Sequence, residues 1–483
     1  MPFDGPVRPW KAGLIVYALL AAVSLGPILM AIPYVFPTYD DYYYAFRTSA
    51  EGFWGVQAWW YLNASGRYLS NLLLSAGVVL IHHHLVYRVL LVLFLTILVV
   101  ATHRMSTHLM RRPEFRGFPA LFLSVGMLCF FLQVTPGFSE FLFWYTGAGT
   151  YSIGISLTLF FLTELFFKKA GGGRPYILLL TSLLAIGTIE FAGLFVAAGL
   201  VFHLYLSVRA NASSLRRLWK SQEALVLIVV LGTLFFVIAG AEGNRVRFET
   251  EKVENSSAGN PSFALYQGVL GAVKFIYNIF WVRGGLFLFL ATFLSAIALG
   301  VGRNAEAAKK WRLWTDWLFA QSLLVGLTLL ISVMYSYSTG VSTMIPRTVS
   351  VLSFFWSLNL MASAVLMAAM SPFLMSGLQR RWVAAFRLAP AAYLCFMVAI
   401  HPESNIHKLY GDLLGGSVSA YRDFQIRQTG LFEACDIQGL EKLRLPEKPM
   451  TFVWDISDGN MGTRYFQYYR EGLCGKHMQG HSP

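Results

Sequence analysis

Between residues 12 and 400 the chain returns repeatedly to uninterrupted apolar runs, and this constrains its fold more than any motif. A run of about 20 apolar residues, wound as a helix, covers the hydrocarbon thickness of a bilayer. Inside lipid, only helices and closed barrels satisfy their own backbone polar groups. The runs fall at 12–32, 85–103, 118–134, 151–167, 176–188, 190–208, 223–240, 284–302, 317–334, 349–371 and 382–400. They predict an α-helical polytopic membrane protein with about 11 transmembrane helices. Composition agrees: 56% of the 483 residues are hydrophobic and 13% are charged, against about 25% charged in soluble domains. The run after Lys11 is too long for a secretory signal and more spans follow it, so it reads as a retained first helix.

A formal charge of +13 would suit a nucleic-acid binder. Here the cations sit in short clusters between spans, which is the signature of membrane topology, and nucleic acid is discarded as a partner. The clusters are Arg8 and Lys11; Arg104, Arg111, Arg112 and Arg116; Lys168, Lys169 and Arg174; Arg209, Arg216, Arg217 and Lys220; Arg303, Lys309, Lys310 and Arg312; Arg380 and Arg381. The alternate short loops, 135–150 and 335–348, hold only Arg347. Positive charge marks the cytoplasmic side, so the N-terminus is expected there. An odd number of spans then leaves the tail outside.

Residues 1–401 are expected to form the transmembrane domain, with 33–84 as its first exterior loop, and 402–483 an exterior cap. The strand-like 450–456 and the polar, aromatic 458–470 predict a small α/β fold for that cap. Of the four cysteines, Cys129 and Cys395 fall in spans, whereas Cys435 and Cys474 share the exterior tail, where a disulfide can form.

Three segments test the map. Residues 176–208 are long for one span and short for two; the basic runs on both flanks require an even number of crossings. A tight hairpin turning at 187–190 is expected, recessed below the surface. Segment 69–81 is too short to cross and reads as interfacial or re-entrant. Segment 262–281, broken by Lys274 and followed by Arg283, reads the same way.

The chemistry-bearing residues gather on the expected exterior side. Asp40 and Asp41 are adjacent carboxylates at a low-dielectric boundary, where mutual repulsion raises at least one pKa unless a cation compensates. Such a carboxylate can act as a general base; the pair could instead offer hard oxygen ligands to Mg²⁺ or Mn²⁺. The structural alternative is a helix cap with a first-turn acid. The aromatic segment 51–61 suits either membrane anchoring or stacking on a sugar, and Tyr42 lies beside the acids. Arg67 can meet a phosphate or simply snorkel. The second exterior loop carries Glu140, Trp144, Tyr145 and Tyr151, and Glu190 falls in the recessed hairpin. An acid at membrane depth is a functional candidate, its alternative being a partner for arginine. Asn244, Arg245, Arg247 and Arg347 follow or precede spans on the side that topology does not favour for cations, and the arginines can hold an anionic group or pair with loop acids. His82, His83 and His84 are consecutive and cannot converge on one ion.

Several short motifs occur in order: Asp40-Asp41; Gly66 to Asn71; Trp144, Thr146, Gly147 and Tyr151; Gly243, Asn244 and Arg247; Ile345 to Arg347. In that order they resemble the GT-C superfamily of polytopic glycosyltransferases, particularly its little-characterised bacterial members, and are similar to serotype-converting O-antigen glucosyltransferases. The resemblance implies a sugar donor on undecaprenyl or decaprenyl phosphate and a glycan or lipid-linked acceptor. It implies transfer at the periplasmic face of the bacterial cytoplasmic membrane, with Asp40 or Asp41 deprotonating the acceptor for an inverting displacement. It leaves metal use open. The alternatives are an O-antigen ligase or polymerase using a lipid pyrophosphate, and a transporter of lipid-linked sugar.

Overall fold

The computed structural model describes residues 11–38, 40–80, 83–112, 118–167, 173–211, 222–299, 301, 307–341, 343–371, 386–436 and 439. Among them the regular structure is helical, with no strand. Eight helices are long and apolar enough to cross a membrane: Gly13–Tyr34, His84–Met110, Tyr145–Phe167, Glu190–Ala210, Gln222–Gly240, Pro261–Val282, Arg312–Thr339 and Pro346–Met370. Four shorter apolar helices accompany them: Ala120–Val134, Arg174–Thr188, Gly285–Ala298 and Ala389–Ile400. The architecture is that of an α-helical polytopic membrane protein.

Each expected apolar run overlaps one of these helices. Pro261–Val282, expected as interfacial or re-entrant, is also a continuous helix long and apolar enough to cross. Asn260 caps its start by accepting from the backbone of Ser262 and Phe263, and Pro261 occupies the first helical position. One lysine does not interrupt a helix begun so firmly. The helix packs along Ala307–Thr339, with the Gly259 N–H donating to the Tyr337 carbonyl at 2.8 Å.

The hairpin forms where the pattern placed it. Helices Arg174–Thr188 and Glu190–Asn211 are joined at Ile189, whose backbone is extended (φ −155°, ψ 138°). The first of them, 15 residues long, rises only about 22 Å, so its turn sits short of a full crossing. Into that recess comes the short helix Tyr68–Leu74, while Gly77–Leu80 packs on Asp40–Asn63. Ser70 donates to the Thr188 carbonyl at 2.7 Å, and the Tyr68 hydroxyl donates to the carbonyl of Leu183.

Ahead of them, Asp40–Asn63 is broken at Gly52, whose φ of 73° and ψ of 167° favour glycine. The two halves fold back on each other: Tyr44 stacks on Trp60 at 4.1 Å, and the Arg47 guanidinium lies 4.0 Å over Trp59. Trp54 is 76% exposed near the bend, as an interfacial anchor would be.

The loops expected to share a side do meet at one end of the bundle. Asp41 bonds Thr146, Tyr61 bonds the Gly240 carbonyl, Asn255 bonds the carbonyls of Thr339 and Gly340, and Thr135 bonds Ser350. The basic segments meet at the other end, where Arg112 and Arg174 donate to the last-turn carbonyls of Phe166 and Leu165 and Arg209 pairs with Asp316 at 2.6 Å.

The tail does not separate cleanly at residue 402. Helices Asn405–Leu414 and Ser417–Glu433 place Ile406, Leu409, Val418, Tyr421 and Phe424 in the main core. Asn405 donates to the carbonyls of Leu132 and Thr135. Cys435 is disulfide-bonded; Cys474, the strand-like 450–456 and the stretch 458–470 lie outside the described residues.

Candidate active site

The loop end gathers charged and aromatic side chains from distant parts of the sequence. Arg67, which opens the Tyr68–Leu74 helix, reaches both carboxylate oxygens of Glu190 through Nε at 2.9 Å. Both Nη groups of Arg67 are left without a hydrogen bond among the described residues, so its outer edge can still grip an anion. Arg347, the second residue of Pro346–Met370, contacts Glu140 at 3.3 Å and lies 5.8 Å over the Trp144 ring. It is within electrostatic range of Tyr151, Asp40 and Arg67. Tyr44 is influenced by Asp40, Arg67 and Tyr151 in turn. Arg247 acts on Glu190 and on Tyr335 and makes no hydrogen bond or ion pair among the described residues. Asp40, Glu140, Tyr151, Glu190 and three arginines therefore share one electrostatic environment.

The two acids of the first loop have different surroundings. Asp41 is 2% exposed. Its Oδ2 accepts from the Thr38 backbone at 3.0 Å and the Tyr87 hydroxyl at 2.9 Å, its Oδ1 from the Thr146 backbone at 3.1 Å and hydroxyl at 2.7 Å. Reaching back to the Thr38 N–H is what the fourth residue of a capping box does. Burial pushes its carboxyl up from 3.8 to about 6, against the opposing pull of those hydrogen bonds. The structure thus assigns Asp41 the capping and cross-linking position, and leaves Asp40 half-buried, within electrostatic range of Arg347.

The second loop owes its shape to the same carboxylate. Thr146 and Tyr145 are fixed by Asp41 and Tyr87, and the Tyr145 hydroxyl donates to the Leu73 carbonyl at 2.8 Å. Gly147 lies so close to Phe138–Leu142 that an added Cβ would sit 1.8 Å from the Glu140 carbonyl oxygen. A π-helical turn, Ala148–Ser152, follows and presents Tyr151; such turns recur at functional sites.

Other expected residues fall away from this cluster. Arg245 is exposed and pairs with Glu242 on its own helix. The shallow cavity of about 390 Å³ that it lines shares no residue with the cluster. Asn244 caps the preceding helix by donating to the carbonyls of Val237 and Ile238. Tyr42 and Tyr145 are buried. Sequence reasoning missed Tyr44 and Tyr87. The signal for Tyr44 was available: it lies four residues after Asp40, on the same helical face.

Asp41 spends both oxygens on four donors, and among the described residues no group of three or more His, Cys, Asp or Glu could hold a metal. No family model, curated protein or solved structure matches the chain.

Proposed function

We propose that this protein is a membrane glycosyltransferase that moves a sugar from a polyprenyl-phosphate donor to a glycan or lipid acceptor. The loop end is read as the periplasmic face, with about 11 crossings and a cytoplasmic N-terminus. One observation carries the proposal: Asp40 shares its surroundings with Arg67 and Arg347 while its neighbour Asp41 is turned away. A carboxylate opposite paired guanidinium groups suits substitution at an anomeric carbon with phosphate as leaving group.

In that reading Asp40 takes the proton of the acceptor hydroxyl as its oxygen bonds to the anomeric carbon. The bond from that carbon to the phosphate oxygen breaks, and its electron pair stays with the phosphate. Arg67 and Arg347 stabilise the charge that accumulates there. Phosphate leaves without protonation, so no general acid is required. Attack opposite the leaving group inverts the anomeric centre. Trp144 and Tyr151 are buried beside Arg347 and hold that guanidinium in place rather than offering open aromatic surface to the sugar.

The test is transfer from a panel of polyprenyl-phosphoryl hexoses and pentoses by the purified protein in nanodiscs. Asp40→Asn should lower transfer about 10²–10⁴-fold, the usual contribution of a general base. Transfer that survives this change overturns the assignment of the base. Movement of intact lipid-linked sugar across liposomes, with no glycosidic bond made or broken, overturns the enzyme reading in favour of transport.

A further inference from the structure

Among the described residues, the arginine–glutamate pairs Arg67–Glu190 and Arg347–Glu140 of the cluster are built differently. Arg67 holds both oxygens of Glu190, and the same segments are also joined by Ser70 to Thr188 and Tyr68 to Leu183. That pair fastens the Tyr68–Leu74 helix to the hairpin turn. Glu140 is held more loosely: the Oε2 contact with Arg347 Nη1 at 3.3 Å is its side chain's one hydrogen bond among the described residues. Such a length lies beyond the usual range for a charged pair. Yet Glu140 is only 5% exposed. A buried carboxylate with one long contact is poorly compensated. If its arginine turns to another anion, the neutral form becomes the favoured one.

We infer that Glu140 is an exchangeable counter-ion: a phosphodiester arriving at the cluster takes Arg347 from it, and Glu140 binds a proton from solvent as it does so. The inference rests on the phosphate-binding reading of Arg67 and Arg347. The balance is simple: one negative charge arrives, one O–H bond forms on the carboxylate, and the net charge of the cluster is unchanged. Arg347 on Pro346–Met370 faces Glu140 directly. Within electrostatic range of that guanidinium are also Asp40 from the first loop, Tyr151 from the π-helical turn and Arg67.

Burial already holds the Glu140 carboxyl above its usual range, with Arg347 pulling it down. Loss of that pull raises it further. Affinity for a phosphodiester therefore increases as pH falls through a window. Its upper limit is the pKa of Glu140 without Arg347, and its lower limit is the pKa with Arg347 in place.

The probe is farnesyl methyl phosphate, a phosphodiester that carries no sugar and does not titrate near neutral pH. Calorimetry on the full chain in nanodiscs, in buffers of different ionisation enthalpy, counts the protons. The wild type should take up as much as one proton per probe, and its affinity should change by up to about tenfold per pH unit inside the window. Glu140→Gln should take up none and bind at least as tightly as the wild type at every pH. Asp40→Asn should keep the uptake; its loss there would move the proton to Asp40 and overturn the inference. Binding that Arg347→Gln weakens but that carries no proton, or that Glu140→Gln also weakens, overturns the exchange and leaves the phosphate reading intact. Binding that is absent, or indifferent to both Arg67→Gln and Arg347→Gln, overturns the phosphate reading and the exchange together.

Discussion

Asp40 and Asp41 are neighbours in sequence and read alike there, but successive helical residues point about 100° apart. Packing separates them: Thr146 of the second loop and Tyr87 of His84–Met110 claim Asp41, and Asp40 lies within electrostatic range of Arg347. The same geometry sorts the arginines of 242–254. Arg245 lies three residues after Glu242 and pairs with it, whereas Arg247, two positions on, lies within electrostatic range of Glu190. Arg245→Gln should leave transfer within about twofold, as for an exposed pair, whereas Arg247→Gln should raise the KM for donor; steady-state kinetics on both variants checks this. Asp41 carries a pH prediction. Its folded pKa of about 6 exceeds the unfolded 3.8. The folded state therefore binds the proton more tightly, and this contribution is largest below about pH 4 and lost as pH rises toward 6. The difference is about 3 kcal/mol. Thermal unfolding between pH 4 and 7 should show the wild type losing more stability across that window than Asp41→Asn.

At the level of elements, the hydrophobic pattern located the spans because a bilayer imposes one thickness on all of them. It also placed the hairpin at 187–190, since charge on both flanks forced an even crossing. Segment 262–281 reads as interfacial or re-entrant because Lys274 breaks its apolar run, yet the cap at Asn260 carries one continuous helix through that lysine. The bend at Gly52 had no signal beyond the glycine itself. Gly52→Ala should cost about 1–3 kcal/mol from backbone strain alone, since nothing lies within 4 Å of the added methyl. Gly147→Ala should fail for the opposite reason. Its backbone is helical, and its Cβ would collide with the Glu140 carbonyl. A loss of about 1–3 kcal/mol, together with a fall in transfer through displacement of Glu140 and Tyr151, is expected. Unfolding and transfer measured on the same preparations separate the two glycines.

Taken whole, the molecule is one helical body whose loops converge at one end and whose basic segments converge at the other. The exposed Val253 belongs to the first end and Arg111 to the second. With Cys129 and Cys395 replaced by alanine, Val253→Cys should react with an impermeant maleimide on intact cells, and Arg111→Cys only after permeabilisation. Truncation after His401 should abolish folding rather than release a cap, because Tyr421 and Phe424 sit in the common core; yield and monodispersity in detergent report it.

The short hairpin helix has a further consequence. Arg174–Thr188 turns Tyr176, Ile177 and Leu180 outward, so lipid meets a wall of about 22 Å where the hydrocarbon layer is about 30 Å. Such a mismatch is relieved by local thinning of the bilayer. A bilayer thinned there would bring its headgroup layer down toward the depth of Arg67 and Glu190.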